Sequence, residues 1–168
     1  MKSQKQKNQK KRRSPGLADK SVDRKCLFAE AWEIFVGFLK SRNDRITQTR
    51  RIVLERALER HDHFRADDLA SDLARGADRV SRGTVYRTLT LLVQAGLVRE
   101  IRDTDAHAHF EPVFGREHHE HMVCDECGRF IEFIDAGMEG HISRACEKQK
   151  FTQRTHRVII FGLCRDCQ

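Results

Sequence analysis

The sequence predicts an α+β chain: a run of short helices closed by a β-hairpin, then a small α+β unit built on a three-stranded antiparallel sheet. Three observations predict it. Apolar residues recur at helical spacing through most of residues 26–96, and the pattern switches to period two over residues 97–112. Two Cys-x-x-Cys pairs, Cys124/Cys127 and Cys164/Cys167, then bracket a final segment of strand, strand, helix and strand.

The elements follow in order. "CLFAEAWEIFVGFLKSR" (26–42) has the apolar spacing of a first helix. "TQTRRIVLERALER" (47–60) is a second, with Thr47 as N-cap and Ile52, Val53, Leu54, Ala57 and Leu58 on its buried face. "RADDLASDLARG" (65–76) is a short third helix stopped by Gly76. "VSRGTVYRTLTLLVQAG" (80–96) is capped by Ser81, buries Val85, Leu89, Leu92 and Val93, and ends at Gly96. Its other face carries Arg82, Tyr86 and Arg87, which suits a helix-turn-helix unit that touches DNA better than it suits a plain helical core. "LVREIRD" and "AHAHFEP" alternate around the turn-prone Thr104-Asp105 and form a hairpin. Three helices and a hairpin make a winged helix.

Pro112 to Gly115 breaks the pattern. We therefore expect a basic tail over 1–16, a DNA-binding winged-helix domain over 17–111, a hinge over 112–117 and a metal-binding dimerisation domain over 118–168. In the last, strands near 119–123, 129–134 and 155–164 flank a helix near 136–149. Its core is too small to stand comfortably alone, so a homodimer is expected.

The 168 residues carry a formal net charge of +7. Residues 1–13 hold seven Lys or Arg and no acid, so the other 155 residues balance at 25 against 25. Such a tail cannot bury apolar surface and reads as disordered. Residues 44–102 are net +3, with twelve Arg against nine acids, while residues 103–168 are net −4. The middle suits a polyanion and the end suits cations. No apolar run approaches the ~18 residues of a membrane span, and the basic N-terminus lacks a signal peptide's apolar stretch, so a cytoplasmic protein is expected.

The two cysteine pairs, 36 residues apart, offer four thiolates to one structural Zn2+. Disulfides or a redox switch are the other readings, and a cytosolic chain disfavours structural disulfides. Cys26 and Cys146 are expected to be ordinary semi-buried cysteines on helices. Upstream stands "HHEHMVCDECGRFIEF" (118–133). Strand alternation sends His119 and His121 to one face, His118 and Glu120 to the other, so one strand feeds two further sites. Glu111 and Glu132 are carboxylates near the first set. No zinc-protease or nucleobase-deaminase spacing fits these histidines, nor is there a nucleophile-elbow or phosphate-loop motif. A non-enzyme is expected.

"GTVYRTLTLLVQAGLV", "HFEP", "HHEHMVCDECGRFIEF" and "THRVIIFGLC" together closely resemble the ferric uptake regulator family, from about Thr47 to Cys167. The resemblance implies a dimeric, metal-dependent transcription factor that binds double-stranded operator DNA. By motif position, Cys124, Cys127, Cys164 and Cys167 resemble the family's structural zinc site. His63, Glu111, His119, His121 and Glu132 fall where the regulatory ligands lie, and His118, Glu120, Glu139 and His156 fall on an additional site. Tyr86 and Arg87 take recognition-helix positions that meet a base and a phosphate, and Arg45 sits near a basic residue that enters the minor groove. Peroxide sensors of the family usually have Asp where Glu132 stands, which favours an iron repressor with Fe2+ as corepressor. A zinc- or manganese-responsive regulator is the alternative within the family, because a His/carboxylate set does not itself choose among these metals. A zinc-stapled thiol redox switch is the alternative outside it.

Overall fold

The computed structural model describes residues 24–76 and 79–168. The basic tail and the first residues of the expected DNA-binding unit lie outside the described residues. Helices α1 (Arg24–Ser41), α2 (Gln48–Leu58), α3 (Ala66–Arg75) and α4 (Arg82–Gln94) come first, with a two-residue strand β1 (Phe64–Arg65) ahead of α3. The expected caps are in place: Thr47 Oγ1 accepts from the Arg50 N–H and Ser81 Oγ from the Thr84 N–H, each at 3.3 Å. Helix α3 opens with Asp67 and Asp68, acids that favour a helix N-terminus.

These helices share one core. Phe35 and Leu39 of α1, Val53 and Leu54 of α2, Leu69 of α3, and Leu89 and Leu92 of α4 are fully buried. Burying each such side chain stabilises the fold by about 1.5–3 kcal/mol before entropy is counted. The core is closed by the hairpin β2 (Val98–Arg102) and β3 (Ala108–Pro112), whose Val98 and Ile101 point inward. With β1 added, this sheet runs β1-β3-β2 and is antiparallel throughout. Two residues carry no periodicity, so β1 leaves no signal in the sequence. It forms because Phe64 is buried opposite Phe110.

The C-terminal unit comprises β4 (Glu120–Cys124), β5 (Phe130–Phe133), α5 (Ala136–Lys148) and β6 (Ile159–Gly162), with sheet order β5-β4-β6. One expectation needs correction. The β4/β5 pair is antiparallel, but β6 runs parallel to β4, so this sheet is mixed. The cause is the long connection through α5, which returns the chain to the starting end of β4. The final strand is also shorter than expected. Ahead of it, the Val158 N–H is drawn to the Glu120 carboxylate instead of a neighbouring strand.

This second unit has little core. Its buried apolar residues are Val123, Cys124 and Cys164, and α5 buries none. Met122 sits between Ile131 and Ile160 in register, and all three are exposed by 39–46%. Three arginines that donate to backbone carbonyls join it to the first unit. Arg116 donates to Arg60 at 2.7 Å and to His61 at 3.3 Å, Arg157 to Glu100 at 3.0 Å, and Arg99 to His119 at 3.4 Å. None of the described helices is long and apolar enough to cross a membrane.

Candidate metal centres and nucleic-acid face

The parallel pairing of β4 and β6 puts both Cys-x-x-Cys turns at the same end of the sheet. The Sγ atoms of Cys124, Cys127, Cys164 and Cys167 lie within 4.8 Å of one another. Cys127 and Cys164 are 3.8 Å apart. That is far beyond a disulfide and equals the ~3.8 Å edge of a tetrahedron with Zn–S bonds of ~2.3 Å. Backbone N–H groups of Cys164 and Cys127 lower the Cys124 thiol to about 6, while hydrogen bonding with Cys164 and Cys127 pushes Cys167 up to about 12. The Cys124 thiolate is favoured, and Cys127 and Cys167 resist ionising beside it unless a cation offsets the charge. The donor set fits zinc.

The second cluster joins the two units. His63 precedes β1, Glu111 lies on β3, His121 on β4 and Glu132 on β5, and their ligand atoms fall within 4.8 Å of one another. Glu111 Oε2 is 3.0 Å from His63 Nε2, 3.1 Å from His119 Nε2 and 3.2 Å from His121 Nε2. His63 and His121 approach to 2.9 Å through their Nε2 atoms. His119 stands beside the four, 3.9 Å from Glu132. Burial opposes ionisation of Glu111, but hydrogen bonds from His119, His121 and His63 outweigh it and hold its carboxyl well below the usual range. Glu111 Oε1 is buried and accepts no hydrogen bond. Three ring nitrogens converging on one carboxylate oxygen, with the Glu132 carboxylate beside them, fit a divalent cation.

Supporting groups hold these rings. The Glu117 carbonyl lies 2.9 Å from His119 Nδ1, which directs Nε2 into the cluster when Nδ1 is protonated. Phe130 stacks on His63 with ring centroids 4.4 Å apart and planes at 14°. Neither Phe130 nor Arg99, whose guanidinium reaches Glu111, carried a sequence signal. Each is an ordinary strand residue until the chain is folded.

The third cluster holds His118, Glu120, Glu139 and His156. Glu120 Oε1 is 2.7 Å from His118 Nε2 and 2.9 Å from His156 Nε2, and Glu139 is 3.1 Å from His156. Burial raises the Glu120 carboxyl, but the Val158 N–H and His118 outweigh it and the net shift is downward. The pairs His119/His121 and His118/Glu120 split between two clusters as strand alternation requires. Cys26 is exposed, contrary to expectation, and Cys146 is half-buried near Gln153.

The DNA-facing candidates are separate from these clusters. Arg82, Tyr86 and Arg87 are exposed on α4, and Arg45 is exposed ahead of α2. The Tyr86 hydroxyl donates to Asp67 Oδ1 at 2.8 Å, and Arg82 reaches the same oxygen at 2.8 Å. Arg82 also lies 5.4 Å from the centre of the Tyr86 ring.

Residues 41–161 match the Ferric uptake regulator family. The chain belongs to this family. It is 37% identical over 109 residues to the ferric uptake regulation protein of Legionella pneumophila, covering 65% of this chain and 79% of that one. It is 29% identical over 130 residues to the peroxide-responsive repressor PerR of Staphylococcus saprophyticus, covering 77% of this chain and 86% of that one. Among solved structures, the fold resembles that of the Helicobacter pylori ferric uptake regulator, with a TM-score of 0.71 and 21% identity. That match covers 83% of this chain and 93% of the other. Members of this family are metal-responsive transcription regulators, not enzymes.

Proposed function

We propose that the protein is a dimeric repressor whose grip on a palindromic operator tightens when a divalent metal, Fe2+ by preference, occupies the His63/Glu111/His119/His121/Glu132 cluster. Zinc in the cysteine quartet holds the C-terminal unit together, and the His118/Glu120/Glu139/His156 cluster is an additional metal site. The division into a DNA-binding unit to residue 111, a hinge over 112–117 and a dimerisation unit from 118 belongs to the same proposal.

One observation carries it: His63, from the helical unit, meets His121, from the C-terminal sheet, at 2.9 Å. A bound cation would supply positive charge shared by ligands from both units. His63 then ties the winged helix to the dimer's sheet, and Glu111 fixes the end of the wing. Two copies of α4 would be held at one spacing, as a palindromic site requires. Moving a largely open ensemble to a largely closed one takes ~5.5 kcal/mol of differential binding, within reach of several ligand bonds made only in the closed state. The exposed Met122, Ile131 and Ile160 row offers an apolar face for a second copy.

Manganese or zinc is the alternative regulatory cation, because His/carboxylate donors follow the Irving–Williams order. The similarity to a peroxide-responsive repressor supports the same metal-dependent class with another signal. A thiol redox switch at the cysteine quartet is disfavoured by sulfur spacing suited to zinc. The test is operator binding by the anaerobic, zinc-loaded protein, titrated with Fe2+, Mn2+ and Zn2+, using a duplex from its own promoter region. Fe2+ should give the tightest binding at physiological concentrations. Metal-independent binding would overturn the reading.

A further inference from the structure

The hinge cluster contains a cation that the ligand set does not include. Arg99 on β2 stands directly opposite Glu111 on β3. Its Nη1 lies 3.4 Å from Glu111 Oε1, and the same nitrogen donates to the His119 carbonyl at 3.4 Å. The Arg99 side chain is 17% exposed and that of Glu111 1%. The two oxygens of Glu111 are thus divided. Oε2 faces three imidazoles, while Oε1 faces the guanidinium without forming a hydrogen bond to it.

A guanidinium stays charged at any pH a protein experiences. Imidazoles can shed their protons to admit a metal, but Arg99 cannot shed its charge. Its effect on a second cation at Glu111 is twofold: it offsets part of the carboxylate's charge and it repels the newcomer. Both effects persist in this half-buried setting, where solvent screens less than in bulk water.

We propose that Arg99 is a built-in competitor for the regulatory cation, which balances Glu111 before metal arrives and raises the metal concentration at which the hinge site fills. This rests on the reading of that cluster as the regulatory site. Arg99 would then set a threshold: the site ignores low metal and responds when the cation becomes abundant. The competing possibility is that Arg99 pre-orients Glu111 and the His119 segment for metal. The two predict opposite signs. Removing a competitor tightens binding, whereas removing an organiser weakens it.

The test is calorimetric titration of Mn2+ into the zinc-loaded full chain, comparing wild type, Arg99→Gln and Arg99→Lys. His121→Ala assigns the heat to the hinge site. Arg99→Gln should bind Mn2+ about tenfold more tightly, and Arg99→Lys, which keeps the charge, should stay within about twofold of wild type. Saturating Mn2+ should also raise the unfolding midpoint of Arg99→Gln more than that of wild type, by linkage. Arg99→Met answers the same question if the glutamine variant loses its zinc or its helix content. Unchanged or weaker binding in the neutral variants would overturn the competitor role, as would equal tightening in Arg99→Lys. Absence of any wild-type Mn2+ binding that His121→Ala removes would instead overturn the regulatory reading, and this inference with it.

Discussion

At the scale of single residues, proton and metal would be rivals for the same atoms in the proposed regulatory cluster. His119 is raised above the ordinary histidine value, chiefly by its hydrogen bond to Glu111, with burial pulling the other way. Its Nε2 must be unprotonated to hold a metal. Lowering the pH loads that nitrogen, so affinity falls with pH, and the fall should begin above the ordinary value of about 6.5. Mn2+ titrations between about pH 8 and pH 6 check this, and a pH-independent affinity would remove His119 from the ligand set. On the proposed DNA face, the Tyr86 hydroxyl donates to Asp67. Tyr86→Ala should lower the ratio of operator to random-DNA binding by about 1–3 kcal/mol, and Arg87→Ala should weaken both and reduce the salt slope by about 1. Anisotropy on both duplexes at several salt concentrations separates the two roles.

At the scale of elements, zinc stands in for a core. Helix α5 buries no residue, β6 is four residues long, and the cysteine turns are where β4 and the chain's end meet. Cys124→Ser or Cys164→Ser should therefore lose zinc and yield monomeric or unfolded protein, read by zinc content and light scattering. If a stripped chain kept its dimer and its thermal midpoint, the quartet would not be the staple. The segment linking the two units has its own constraint. Gly115 has φ +74°, and a Cβ there would come within 2.5 Å of a Leu27 methyl. The methyl can swing aside, but the left-handed backbone cannot be relieved so easily, and Gly115→Ala should cost about 1–2 kcal/mol of stability in a denaturant melt.

Much of this was legible in the sequence. Thr47 and Ser81 announced the starts of α2 and α4, and alternation along 118–121 divided the histidines correctly. Direction and register were not legible in the alternation. A two-residue turn at Thr104-Asp105 would set Arg99 opposite Phe110. Ala106 instead adopts φ +61°, the loop takes one more residue, and Arg99 faces Glu111. The β6 direction was implied by the cysteines, since two turns that each follow a strand meet only if those strands run parallel. Alternation alone contains no such information.

At the scale of the whole molecule, two kinds of contact hold the units together. Arg99, Arg116 and Arg157 reach carbonyls across the boundary without any metal, while His63 and Glu111 reach the C-terminal histidines. The arginine contacts are partly solvent-exposed and each contributes little alone. In the proposed mechanism, the histidine cluster is the part that a cation would switch. Dimerisation belongs to this scale too: Ile160→Glu should break the apolar row with Met122 and Ile131, and sedimentation should then report a monomer with zinc retained.

The decisive measurement is operator binding by anisotropy as a function of Mn2+ or anaerobic Fe2+, for wild type, His63→Ala and His121→Ala, with zinc content determined for each. Both variants should remain zinc-loaded dimers yet need far more metal to bind the operator, because each loses one side of the bridge between units. His118→Ala, on the opposite strand face, should show a milder defect. Wild-type metal dependence in both His63→Ala and His121→Ala would contradict the hinge mechanism, even in a protein that still binds its operator.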